Sequence, residues 1–323
     1  MVTITGTVLR ILPPKHVTRD GVENRVVDLI IADERQYWRV ALWDDQVNLV
    51  LSGALKVGDG VRIENASIPG LRASGDHRIH AGRHARITRL AAPLEPLRDV
   101  PAVKLTVLAI ARPERGKVCV AGIDEHGSWL RPQYVYDSEL LAAKRPLFKL
   151  LGVSAVYLDT WRGRRARQED RFFVYSHSVE HELPAEEKQA FLELHLDASV
   201  DAVFKSGRSL GLIKPRILLV YEERPRREDK EHEQYIRFTF KDGSGRVYSR
   251  WPCRCAAFYE RWNKLKTRHR WTCGWRMRRY LRKSETFFAI GLTYTDYGRT
   301  RLEYGAYPLI VGVHIVPRSE RVE

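Results

Sequence analysis

The sequence predicts a mainly β protein of three small barrels in tandem, with a helical connector before the third barrel and a basic helical insertion within it. Three observations lead to this prediction. Short β-rich runs separated by turn signals fill the first hundred residues, and a strand–acidic turn–strand unit occurs three times. One late stretch, residues 254–283, is rich in basic and aromatic residues and contains no proline, which favours helix.

The first barrel is predicted over residues 1–90. Its strands are expected where β-branched and aromatic residues dominate between turn signals, at residues 2–12, 25–32, 37–43 and 61–66. Residues 91–102 contain three prolines and fit neither the helical nor the strand period, so we predict a linker there.

The recurring unit is a β-run that ends in an acidic turn and is followed by a second run bearing tryptophan. Two such hairpins arise easily by chance in a β protein, but three of them, each after an earlier β-run, predict three copies of one barrel. The three units occupy residues 26–43, 117–133 and 235–252, with turns at Asp33, Asp124 and Asp242.

The remaining divisions follow from these units. An apolar face running from Phe191 towards Phe204 after a Pro-Ala-Glu-Glu start predicts a helical connector. The basic stretch is predicted to form two helical pieces that break near residues 272–274. The predicted parts are a second barrel at 103–183, the connector at 184–212, and a third barrel at 213–323 with its insertion at 254–283.

Composition and charge indicate which kinds of partner the protein binds. The chain of 323 residues carries a net charge of +15 and has a pI near 9.8, which predicts attraction to polyanions. No run of about 20 apolar residues is present, the first residues lack the features of a signal peptide, and four cysteines are too few for a disulfide scaffold. We therefore expect a cytoplasmic protein that does not bind membranes.

Three segments near the start carry a resemblance. They are ITGTV, the D-x-x-x-x-W-R-V-A-L-W run at residues 33–43, and VGDGVRIENA at residues 57–66. In this order they resemble the OB-fold of the replication protein A family. The resemblance implies that Trp43 stacks on a base, and that Val27 stands where a second stacking aromatic is usual.

A second resemblance covers residues 103–318. KLTVLAIARPERGKVCVAGIDEHGSWLRP, SLGLIKPR and the FFAIGLTYT…YPLIVGVHIVP blocks resemble the dual OB-containing domain of prokaryotic proteins. That family is thought to bind or sense nucleic acid, and the resemblance brings no catalytic residues with it. All three predicted barrels are accordingly expected to be OB-like.

Candidate binding residues in the first barrel lie on the run 37–43. Strand alternation places Trp38, Val40 and Leu42 in the core and the intervening side chains outside, where OB-folds present a strand face to single strands. The candidates are Tyr37, Arg39 and Trp43 on that run, with Arg62, Arg72 and Arg78 on later strands or turns.

The basic stretch supplies the other candidates. It holds eleven basic residues against one acid, Glu260, and like charges at this density repel one another unless a polyanion offsets them. Phe258, Trp262 and Leu265 keep helical spacing and are expected in the core. The predicted binding residues are Arg261, Lys264, Arg268, Arg270, Trp271, Trp275, Arg276, Arg278 and Arg279, with a second basic cluster at Arg162, Arg164 and Arg165.

Two sequence patterns contain residue types that bind metal ions. The His177-x-x-Glu180-His181 run matches an inverted zinc-peptidase motif, but that motif needs a helix, and a proline follows three residues later. Cys253-x-Cys255 with Cys273 and His269 offers four soft ligands at a spacing shorter than the usual zinc knuckle. We predict no metal and no cofactor.

The sequence thus predicts a non-catalytic protein that binds single-stranded nucleic acid, with DNA favoured and RNA possible. Phosphate neutralisation and base stacking would supply the binding. Two alternatives stay open: a metal-dependent nuclease, and a nucleic-acid sensor or adaptor whose main partner is a protein.

Overall fold

A computed structural model describes residues 1–19, 21–68, 78–114, 116–142, 145–160, 167–223, 235–293 and 302–317. The chain forms two compact, mainly β units, Met1–Ala102 and Val103–Glu323. Within the described ranges, no helix is both long and apolar enough to cross a membrane.

The first unit is a closed five-strand barrel with two accessory strands. Its elements are β1 (Val2–Ile11), β2 (Lys15–Arg19), β3 (Val22–Ala32), β4 (Tyr37–Trp43), a 3₁₀ turn (Asp44–Gln46), α1 (Val47–Leu51), β5 (Gly60–Ala66), β6 (Ile79–Ala81) and β7 (Arg86–Arg89). Pairing runs β6–β4–β3–β1–β5, and a bridge between Ser67 and His80 joins the two ends. Strand β6 lies parallel to β4 and the other pairs in the barrel are antiparallel, the topology of the OB barrel.

The predicted linker packs on this first barrel. Leu97 is buried, and its amide donates to the carbonyl of Asp33 at 2.7 Å. The hydroxyl of Thr7 donates to the carbonyl of Leu94, also at 2.7 Å. These contacts hold the segment against the first barrel.

The second unit begins with a ring of five strands. Its elements are β8 (Val103–Glu114), β9 (Lys117–Asp124), β10 (Trp129–Gln133), β11 (Val135–Tyr136), α2 (Asp137–Ala142), β12 (Gly152–Thr160), β13 (Asp170–Ser176) and β14 (His181–Glu182). Pairing follows β8–β9–β10–β13–β12 and returns to β8, with only the β10–β13 pair parallel. This ring has the same strand order as the first barrel, including a helix between its third and fourth strands.

In the rest of the second unit, the described residues form two three-stranded sheets and four helices. Its elements are α3 (Ala185–Leu194), α4 (Val200–Phe204), β15 (Leu210–Ile213), β16 (Arg216–Glu223), β17 (Tyr235–Lys241), β18 (Val247–Pro252), α5 (Ala256–Arg268), α6 (Cys273–Lys283), β19 (Ser284–Leu292) and β20 (Pro308–Pro317). The sheets run β15–β19–β20 and β16–β17–β18, and a parallel bridge between Cys253 and Ile310 links them.

Two details differ from the sequence prediction. The sequence predicts one continuous apolar helical face in the connector, but the structure contains two helices. The hydroxyl of Ser199 accepts a hydrogen bond from the amide of Ala202 and caps the start of the second helix, α4. The predicted connector also extends to residue 212, whereas β15 begins at Leu210, within that range, and pairs with β19.

The three predicted hairpins form as β3–β4, β9–β10 and β17–β18. Each turn is organised by its aspartate, whose side chain accepts hydrogen bonds from backbone amides two to four residues later. Asp33 accepts from Arg35 and Gln36, Asp124 from His126 and Ser128, and Asp242 from Ser244, all at 2.8–3.0 Å. The aspartates therefore have a structural role at these turns, since a carboxylate oxygen accepts hydrogen bonds from backbone amides there.

The two halves of the second unit meet along β8 and β20. The buried ring nitrogen Nε2 of His314 lies 2.9 Å from the carbonyl oxygen of Leu108, so Nε2 carries the proton and donates. A Cβ placed on Gly312 would come within 2.1 Å of that same carbonyl oxygen, which leaves room only for glycine. A bridge between Ala111 and Cys255 extends the seam.

This histidine makes stability depend on pH. Burial lowers the pKa of His314 to about 4, below the value of about 6.5 expected in the unfolded chain. Because the folded pKa is the lower one, its contribution is complete above about pH 6.5 and is lost as pH falls through about 4. We expect protonation of this residue to cost up to about 3 kcal/mol of unfolding free energy. Denaturant unfolding of the wild type and of His314→Gln at pH 7 and pH 4 measures this loss of unfolding free energy. An identical pH dependence of the two proteins would contradict the expectation.

Candidate nucleic-acid interface

Helices α5 and α6 are amphipathic, and they pack on strands of the two three-stranded sheets, α6 on β16 and β19 and α5 on β20. Phe258 and Trp262 of α5 are each only 2% exposed, and Leu265 packs against the same core. On α6, Met277 and Leu281 are buried one turn apart, in line with Cys273. These apolar faces confirm the predicted core positions on α5 and fix which side of each helix faces solvent.

The opposite faces are basic. Arg261, Lys264 and Arg268 are exposed at positions i, i+3 and i+7 of α5, so they share one face. Trp275, Arg279 and Arg282 lie at positions i, i+4 and i+7 of α6, so they also share one face. The basic helical surface comprises these six residues with Arg270 and Trp271 in the intervening turn and Arg276, Arg278 and Lys283 beside them on α6.

Two tryptophans on this surface stand in solvent. Trp271 is 93% exposed and Trp275 is 59% exposed, although indole is among the most costly side chains to leave in water. Guanidinium groups lie over both rings, with Arg270 at 5.8 Å from the Trp271 ring centre and Arg279 at 5.5 Å from that of Trp275. This arrangement presents flat aromatic faces flanked by fixed positive charge.

The positive charge of the surface is not neutralised within the described parts of the chain. Of the eleven basic residues at 254–283, only Lys266 forms an ion pair with a described carboxylate, Glu222, at 2.7 Å. That carboxylate also accepts from the indole of Trp262 at 3.0 Å, which makes Lys266 a structural residue. The remaining cations repel one another, and a bound polyanion would offset that repulsion.

A depression of about 210 Å³ lies on the outer side of α6. It is lined by Trp275 and four cations, Arg278, Arg279, Arg282 and Lys283. The Nε of Arg278 is shielded from solvent and has no hydrogen-bond acceptor among the described residues. Arg282 and Lys283 were outside the predicted site, yet their helical spacing from Arg278 and Arg279 is a signal that places them on the same face.

On the first barrel, the predicted core positions of β4 are confirmed, but Ala41, which strand alternation places outside, is fully buried as well. Val40 and Leu42 are fully buried in the barrel core and Trp38 packs against it. The resemblance placed Val27 at a second stacking position, and the structure corrects this. Val27 is a core residue, and its register partner is Leu42, so it points into the barrel and not towards the face that carries Trp43.

Arg39 and Arg78 of that face surround the buried Asp28. The Nη2 of Arg39 donates to one carboxylate oxygen at 3.0 Å, and the Nε of Arg78 donates to the other at 2.6 Å. Burial alone would raise the pKa of Asp28, but Arg39 and Arg78, with Lys15 nearby, outweigh it and hold the pKa below its usual value. Both arginines therefore stabilise a buried carboxylate, which limits what they can offer to phosphates.

Trp43 is half-buried beside these groups. The guanidinium of Arg78 lies 5.8 Å from its ring centre and the ring of His80 lies 5.5 Å away. Tyr37 is half-buried at the other end of β4, and Arg62 on β5 pairs with Glu64 at 3.1 Å. The structure thus brings Arg39 and Arg78 together around Asp28, with Trp43 beside Arg78, and leaves Arg62 on a separate strand.

Four predicted binding residues, Arg72, Arg162, Arg164 and Arg165, lie outside the described residues.

Both sequence patterns with candidate metal ligands fall on described residues. The His177–His181 run follows the end of β13 and enters β14, so it has none of the helical geometry that a zinc peptidase requires. Cys253 and Cys255 are buried in the core, and burial raises the pKa of both thiols. In the part of the chain that the structure describes, no three His, Cys, Asp or Glu side chains come together as metal ligands.

Comparisons with known proteins find likeness only among solved structures, because no family model and no curated protein matches. The chain is similar to a replication factor A related protein from Methanobacterium thermoautotrophicum, with 29% identity, a TM-score of 0.24, and 29% of this chain and 82% of that chain covered. It is similar to the OB domain of Ta0387 from Thermoplasma acidophilum, with 25% identity, a TM-score of 0.23, and 29% and 79% covered.

A third likeness spans more of the sequence. A replication protein A heterotrimer bound to ssDNA matches with 11% identity and a TM-score of 0.30 over 98% of this chain and 93% of that chain. At TM-scores of 0.23–0.30 these likenesses carry no weight for function. The function of this chain has to be inferred from its own residues, and the resemblance of residues 103–318 to the dual OB-containing domain stays a prediction.

Proposed function

We propose that this protein binds single-stranded nucleic acid, with DNA as the first candidate, and that it does so without catalysis. The observation that supports the proposal most is the basic helical surface, where two exposed tryptophans stand among cations that have no described carboxylate partner. Exposed indoles stack on unpaired bases, whereas the bases of a duplex are already stacked on one another. Guanidinium groups beside the rings would hold the phosphates on either side of a stacked base.

We also propose that the chain contains three OB-like barrels. In the third region, β15 and β16 would together serve as one bent first strand, because only Lys214 and Pro215 separate them. The order then reads β15/β16, β17, β18, β20, β19 and back to β15, with helices between β18 and β19. This is the order of the two rings described above, and it places α5 and α6 where the helix between the third and fourth strands of an OB-fold lies.

The proposal is tested with fluorescent single- and double-stranded DNA and RNA across a salt series. Single strands are expected to bind more tightly than duplex, with log K falling against log salt at about 0.7 per phosphate contacted. Equal or tighter binding of duplex would contradict the single-strand assignment. Strand cleavage with Mg²⁺ or Mn²⁺ that a chelator abolishes would favour the nuclease alternative.

A protein partner is the second candidate function. Tryptophan and arginine are the residues that most often dominate protein–protein interfaces, so the same surface suits an acidic protein. Weak strand binding that ignores substitutions in α6 would favour this alternative.

The tryptophans give a prediction of their own. Replacing Trp271 and Trp275 with alanine is expected to weaken single-strand binding by about 1–3 kcal/mol for each base that loses its stacking partner. The salt slope should not change, because no charge is removed. Fluorescence anisotropy at several salt concentrations measures both quantities. A changed slope with unchanged affinity would show that the indoles act through the positions of neighbouring arginines.

A further inference from the structure

We propose that the depression on α6 binds a terminal phosphate, the phosphomonoester at the end of a nucleic-acid strand. This inference rests on the proposed function and adds to it the part of the strand that the protein recognises. The ligand class is therefore a strand end that carries a phosphate, with the last base on Trp275.

The charge of the depression supports a monoester. Arg278, Arg279, Arg282 and Lys283 line a single space of about 210 Å³, and among the described residues no acidic side chain lines it. An internal phosphodiester carries one negative charge, whereas a monoester carries about 1.5 to 2 at neutral pH and three acceptor oxygens. Four cations in one space match the larger charge, and the extra oxygens can accept from more than one guanidinium.

The position of Trp275 supports a strand end. Trp275 and Arg278 are separated by three positions and Trp275 and Arg279 by four, so these two arginines lie about one helical turn from the aromatic ring, and Arg282 and Lys283 follow one turn further on. Arg279 is already over the Trp275 ring at 5.5 Å. A terminal nucleotide can therefore place its base on the ring and its phosphate among the cations at the same time.

On α5, the cations of the basic helical surface are more widely spaced than on α6. Arg261, Lys264 and Arg268 are spread along the outer face of α5 over two turns. Charges at that spacing suit consecutive internal phosphates, each of which needs about one cation. The surface thus divides into a concentrated site on α6 for the end and an extended path for the strand that follows it.

The test compares one oligonucleotide sequence in four forms: 5′-phosphorylated, 3′-phosphorylated, unphosphorylated and circular. We expect one phosphorylated linear form to bind about tenfold more tightly than the unphosphorylated form, as one or two added charge-assisted contacts would give. Which end carries the preference identifies the strand polarity. Equal affinities for all four forms would overturn the inference and leave the proposed function intact, whereas failure of every form to bind would overturn both.

Matched double variants separate the end site from the strand path. Arg282→Gln with Lys283→Gln is expected to abolish the preference for the phosphorylated end. Arg261→Gln with Lys264→Gln removes the same charge from α5, and it should weaken every form alike and keep the preference. Loss of the preference in both variants, or in neither, would show that the depression does not distinguish a terminal phosphate.

Discussion

Replacing Arg276, Arg279 and Arg282 together with glutamine is expected to weaken single-strand binding about a hundredfold at about 0.05 M salt. All three are exposed on α6, and none forms an ion pair with a described residue, so their charges are available to phosphates. Each lost phosphate contact should make the dependence of log K on log salt less steep by about 0.7, and three contacts by about 2. The wild type and the variant should therefore converge in affinity at high salt. Anisotropy titrations over a salt series measure the slope directly.

The control is a triple variant with the same loss of net charge elsewhere. Lys56, Lys104 and Arg145 are exposed and lie outside the basic helical surface. Their replacement with glutamine should change affinity only slightly and leave the slope nearly intact. If both triple variants lose the same affinity, net charge and not the α6 surface controls binding.

Replacing Asp170 with alanine is expected to destabilise the second unit by about 3–5 kcal/mol. The Asp170 carboxylate is fully buried and accepts from Nε of Arg131 at 2.7 Å, from the amide group of Gln133 at 2.8 Å and from the backbone of Arg167 at 3.0 Å. The Arg131 side chain is only 5% exposed. Alanine would leave a buried guanidinium without its carboxylate, which costs far more than the loss of an exposed pair. Denaturant unfolding measures the change.

Glu182→Gln supplies the comparison within the same unit. Glu182 pairs with Lys149, and both side chains are about half exposed, at 44% and 52%. Water and salt screen such a pair, so its loss should cost less than about 1 kcal/mol. Similar losses in the two variants would show that Asp170 is not part of a buried charge pair in solution.

Local patterns in the sequence predicted much of the fold. The three hairpins were found because each combines two-residue alternation with an aspartate that organises its own turn, and both signals lie within about twenty residues. The break between α5 and α6 and the buried positions of Phe258 and Trp262 followed from helical periodicity in the same way. The faces of both helices, and hence the basic helical surface, could be read from spacing alone.

Contacts between distant residues were not predictable in this way. Asp28 is separated from Arg78 by fifty positions, and nothing local indicates that a buried carboxylate would occupy this arginine and Arg39. The inward direction of Val27 depends on the register between β3 and β4, which a shift of one residue reverses. The depression on α6 depends on which cations converge in space, and the sequence prediction does not include Arg282 and Lys283 although their helical spacing places them on the same face.

The seam between β8 and β20 determines when the second unit can complete its fold during synthesis. Strand β8 lies at the start of that unit and β20 at its end, so the contact of Leu108 with His314 has one of the longest sequence separations in the unit. At about 5–20 residues per second, the ribosome needs about ten to forty seconds to deliver β20 after β8 has emerged. Contacts this distant slow folding, and Leu108, Ala109 and Ala111 of β8 lack their core partners from β19 and β20 throughout that interval. A nascent or prematurely terminated chain is then a ready target for chaperones and proteases.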